Sequence, residues 1–80
     1  MTKKIRIELD PNDLGQAVDG LEVRAEAWEN TAAYLRTGKS PNEFFMPEEC
    51  RGAEEAESIA RHYRSILQQI RRQANKQDGL

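Results

Sequence analysis

Eighty residues, 38% hydrophobic and 32% charged with a formal net charge of −2, make one thin domain, because chains of this length bury only about 60% of the surface their unfolded state exposes. The lone cysteine excludes an internal disulfide, and a single histidine beside it excludes a zinc set. No apolar run approaches the roughly 18 residues a membrane span needs, which leaves a second copy of the chain as the way to enlarge the core.

The start, MTKKIRIELD, carries lysines with no apolar run behind them, unlike a signal peptide. The reading is a cytoplasmic protein with a reduced thiol at Cys50. Residues 3–9 alternate: Ile5, Ile7 and Leu9 point one way, Lys4, Arg6 and Glu8 the other. That is the period of a half-buried β-strand. It needs a partner, either a neighbouring copy or the short apolar piece Phe44-Phe45-Met46.

Asp10 reads as an N-cap, Pro11 as the first helical residue and Asp13 as a first-turn acid. The helix predicted over residues 11–37 carries Leu14, Val18, Leu21, Ala25, Trp28, Ala32 and Leu35 at alternating spacings of four and three. This spacing lines one helix face and makes a seam for a partner helix. Gly15 and Gly20 weaken it by up to ~1 kcal/mol each relative to alanine. Gly38 is the stop signal, and residues 38–52 form a loop rich in turn residues.

A second helix is predicted over residues 53–75, with a frayed tail at 76–80. Glu54, Glu55 and Glu57 open it and arginines close it, an order that suits the helix dipole. Its seam is Ala56, Ala60, Tyr63, Leu67, Ile70 and Ala74, flanked by Ile59 and Ile66. Three apolar positions per heptad exceed what one partner helix covers. The predicted fold is therefore mainly α, an antiparallel two-helix hairpin with a short N-terminal strand. Two copies would complete a four-helix bundle.

The charge is unevenly distributed. From Glu8 to Glu57 thirteen acidic residues stand against four basic ones, and from Ser58 onward five basic residues stand against Asp78 alone. Placing Leu35 near Ala56 brings Trp28 beside Tyr63 and Leu21 beside Ile70. The same register lays Asp19, Glu22, Glu26 and Glu29 along the side of Arg61, Arg64, Arg71 and Arg72. Exposed pairs are worth about 0–1 kcal/mol each, so as a set they select the register more than they stabilise it.

Arg61, Arg64, Arg71 and Arg72 are also the candidate phosphate contacts if the chain binds nucleic acid or a nucleotide. An acidic domain with a pI near 5.4 and acids within reach of those arginines favours interhelix pairing. His62, near Ser58 and Ser65, lacks a third group to orient it and reads as a surface residue. Cys50 reads as a small buried hydrophobe. Two Glu-x-x-Glu pairs, Glu26 with Glu29 and Glu54 with Glu57, could hold magnesium from facing helices. This pattern resembles that of the all-α nucleoside triphosphate pyrophosphohydrolases of the MazG type, and the resemblance implies magnesium-dependent release of pyrophosphate. The family's final acid is an aspartate where this chain has Glu57, and Glu26 and Glu54 point away from the seam. The stretches RAEAWENTAAYLRTG and EECRGAEEAESIARHYRSIL resemble small helical hairpin proteins of bacteria and prophages.

The function expected from these residues is non-enzymatic: a protein–protein interaction module, dimeric with itself, in a regulatory or inhibitory accessory role toward another protein. No catalytic, cofactor or metal set is expected, and no membrane partner. The interface candidates are Ile59, Ile66, Phe44 and Phe45, because the first two widen the seam and two adjacent loop rings cannot both face one core.

Overall fold

The computed structural model describes residues 3–77, and of Gln77 the backbone alone. Two α-helices, α1 (Pro11–Thr37) and α2 (Ala53–Gln77), pack against each other as a hairpin. Local chemistry sets their ends. Asp10 is extended (φ −71°, ψ 162°), and its carboxylate accepts from the Asp13 N–H at 2.9 Å. Gly38 ends α1 in the left-handed region (φ 74°), where a side chain would be strained, and donates its N–H to the Tyr34 carbonyl at 2.7 Å. At the start of α2 the Gly52 carbonyl accepts from the Ala56 N–H, and the Glu55 carboxylate reaches back to the Arg51 N–H at 3.2 Å. Lys76 and Gln77, read as tail, continue α2; residues 78–80 lie outside the described residues.

The core is small. Ala25, Trp28, Ala32, Ala56, Ala60 and Leu67 are its buried apolar residues. Trp28 sits against Ala32, Ala56 and Ala60, with Cys50, Ile59 and Tyr63 partly buried around it. Four alanines let two backbones approach closely enough for one indole to fill the space between them. Leu14, Val18, Leu21, Ile70 and Ala74 continue the seam toward the open end, half-buried. Leu35 departs from the expected seam and is 44% exposed. It lies one turn past Ala32, where only the first turns of α2 stand beside α1.

Three ion pairs run along one edge of the hairpin: Glu22 with Arg71, Glu29 with Arg64 and Arg36 with Glu57. Both helices step by seven residues from one pair to the next, and the sign reverses at the third. Sliding α2 by one heptad in one direction would set Arg36 against Arg64; sliding it in the other would set Glu29 against Glu57. Each shifted register creates a like-charge pair, so the reversal selects the observed one although each exposed pair adds little. Arg61 and Arg72, expected in this ladder, are exposed and form no ion pair with a described residue.

Residues 3–10 form no strand in the single chain. The internal candidate, 44–46, lies at the other end of the molecule, where the Phe45 ring packs on Tyr34 at 5.6 Å. Some 24 residues of α1, about 36 Å at 1.5 Å each, separate Tyr34 from Asp10, so the two segments cannot meet.

The loop is tied to α1 by Thr31, a buried residue outside the predicted seam. Its hydroxyl donates to the Ala27 carbonyl at 2.8 Å and accepts from the Glu48 N–H at 3.0 Å. Glu48 also pairs with Arg24 at 3.0 Å. Thr31→Val keeps the shape and leaves the Glu48 N–H without its acceptor, at an expected cost of about 1–2 kcal/mol. Urea titration should show that loss with the helix signal of the native baseline unchanged; an unaltered midpoint would mean the loop is held by other contacts.

Candidate functional site

Four groups of side chains could carry a function, and the fold treats them differently. The first is the N-terminal arm. Ile5, Ile7 and Leu9 are 82%, 71% and 50% exposed. With Leu14 and Ala17 of α1 and Ile70 and Ala74 of α2 they line a cleft of about 350 Å³ at the open end of the hairpin. The arm ends at the Asp10 cap of α1, and its apolar residues share the cleft with Ile70 and Ala74 in the last turns of α2.

The second group is the loop tip. Asn42 accepts from the Phe44 N–H at 2.9 Å through its side chain and from the Phe45 N–H through its carbonyl, a tight Asx turn. The turn aims the two rings apart. Phe45 packs on Tyr34, while Phe44 is 84% exposed and Met46 83%. Ile59, the first of the flanking isoleucines, is packed against the Trp28 cluster. Ile66 is half-buried.

The third group is the basic face of α2. The Arg64 guanidinium donates twice to Glu29, both at 2.8 Å, and Arg71 pairs with Glu22. Arg64 holds the Glu29 carboxyl below its ordinary range, and Arg36 does the same to Glu57. An open groove of about 730 Å³ runs beside this ladder, floored by Ala32, Ala33 and Ala60 and rimmed by Glu29, Glu57, Arg61 and Arg64. Its charges are largely matched among themselves. Of the four arginines, two are already engaged with carboxylates.

The fourth group is the pair of Glu-x-x-Glu motifs. Glu29 and Glu57 each face an arginine, and among the described residues no group of three or more His, Cys, Asp or Glu side chains is arranged to hold a metal ion. His62 is exposed, and Cys50 is a half-buried free thiol whose Sγ lies 3.6 Å from the Gly52 carbonyl.

Comparison with protein-family models, with curated proteins and with solved structures finds no match. No helix among the described residues is long and apolar enough to cross a membrane. The chain's own residues therefore carry the functional argument. Sequence reasoning missed Arg24, whose guanidinium lies 5.9 Å from the Trp28 ring centre and 6.0 Å from that of Tyr63 while pairing with Glu48. Only its spacing of four from Trp28 hints at this; the far partners, Tyr63 and Glu48, leave no local signal.

Proposed function

We propose that this protein is a non-enzymatic protein–protein interaction module that works as a homodimer, two hairpins supplying four helices, in a small accessory role in the cytoplasm. The supporting observation is where the apolar surface lies. Among the described residues the buried core contains two large apolar side chains, Trp28 and Leu67, while Ile5, Ile7, Phe44 and Met46 are each more than 70% exposed. Exposed large residues gathered on two short segments, one at each end of the hairpin, mark two association surfaces. Of the candidates from sequence, Phe44 is the one that projects from the hairpin; Ile59 and Phe45 pack against their own chain. Binding to nucleic acid or a nucleotide phosphate through Arg61, Arg64, Arg71 and Arg72 is the weaker reading, because Arg64 and Arg71 would first have to leave their carboxylates.

Light scattering tests the reading. The expected molar mass is twice the 9.2 kDa of the chain, persisting at high salt because apolar contacts are little screened. A mass of one chain at every concentration up to the millimolar range would overturn self-association.

A further inference from the structure

We infer that residues 4–10 of two copies pair as an antiparallel β-ribbon about a two-fold axis through Ile7, an inference that rests on the self-association just proposed. The arm has the alternation of a strand, ends in an extended residue, Asp10, and finds no ladder partner among the described residues of its own chain. Pro11, with no N–H, ends any ladder at that point. The same segment of a second copy is the partner always present at equal concentration.

Side-chain chemistry sets the register. With Ile7 opposite itself, Ile5 of each copy meets Leu9 of the other on one face. On the other face Arg6 meets Glu8 and Lys4 meets Asp10. Every cross-strand pair is then apolar with apolar or base with acid, the combinations that stabilise an antiparallel pair. Centring on Arg6 sets two arginines together, and centring on Glu8 sets two glutamates together. A shift by one residue puts charges opposite apolar side chains. A parallel ribbon stacks every charge on its own copy. One arrangement satisfies all positions.

A two-stranded ribbon is marginal alone and needs a layer against its apolar face. The cleft beside the arm offers one. Leu14, Ala17, Ile70 and Ala74 line it together with Ile5, Ile7 and Leu9, so each hairpin can floor its end of the ribbon.

The test uses the full chain with five variants, and circular dichroism confirms that each keeps its helices. Arg6→Glu and Glu8→Arg each place two like-charged pairs across the ribbon, and each is expected to weaken dimerisation about tenfold. The double variant R6E/E8R, and an equimolar mixture of the two single variants, should both regain native affinity. In a Cys50→Ala background, I7C should form a disulfide dimer under mild oxidation, since facing residues lie about 5.5 Å apart. I5C should not, because its own copy sits about four residues away along the strand. If I5C and I7C cross-link equally, or if neither does while the mass stays dimeric, the ribbon is wrong and self-association stands. If the native chain is monomeric, both fall.

Discussion

Replacing Trp28 with alanine is expected to abolish cooperative unfolding. The indole is 7% exposed and fills the space between Ala32, Ala56 and Ala60. Its buried neighbours are alanines, which cannot reach into the void, and the partly buried Cys50, Ile59 and Tyr63 fill only part of it, so the loss falls at about 3–5 kcal/mol, the usual range for truncating a buried aromatic. A domain of this length holds roughly 4–12 kcal/mol in total. The variant should therefore show a broad, shallow urea transition or none. Trp28→Phe separates ring volume from the indole N–H. Nε1 is buried without a hydrogen-bond partner among the described residues, so phenylalanine removes an unpaired donor as well as part of the ring. It should cost much less, about 1–2 kcal/mol. Equal losses for the two variants would show that the indole's shape, not its bulk, holds the helices.

Leu67→Ala should be the second most damaging change. Leu67 is 1% exposed and, with Ala25, forms the buried part of the seam nearer the open end. Its neighbours along the seam toward that end are half-buried and already partly hydrated, so losing the largest fully enclosed aliphatic side chain among the described residues should cost about 2–5 kcal/mol. The loss should appear as a lower urea midpoint. Fluorescence of the remaining native state should stay that of a buried indole, because Trp28 belongs to a different cluster. A loss under about 1 kcal/mol would mean that this half of the seam is loosely packed.

Both predictions concern residues that periodicity alone placed on the seam. The helix ends were equally readable, since Asp10 with Pro11 and a glycine at position 38 act through bonds to residues three or four away. The ion-pair edge was legible in part. The spacing showed an acidic α1 against a basic α2, and Glu29–Arg64 and Glu22–Arg71 follow from it. Arg36–Glu57 runs against that overall charge gradient, and only the register reveals it. Of the two loop phenylalanines, sequence reasoning could say that they must part but not which one would pack. Asn42 and Tyr34 decide that.

Thr31 shows the boundary most clearly. In sequence it is a β-branched polar residue in the middle of a helix. In the fold it is wholly buried, anchoring the loop through Glu48, seventeen residues away. The amino-acid sequence by itself determined the two helices, the caps of α1 and the strand-like alternation of the arm, because each depends on residues within a turn or two of one another, and the loop joining the helices made the packing antiparallel. Tertiary structure decided which seam residues are enclosed, where the loop is fastened and that the arm is left without a strand partner among the described residues. Those outcomes depend on which distant groups come within a few ångströms once the helices have met, and neither propensity nor period encodes such distances.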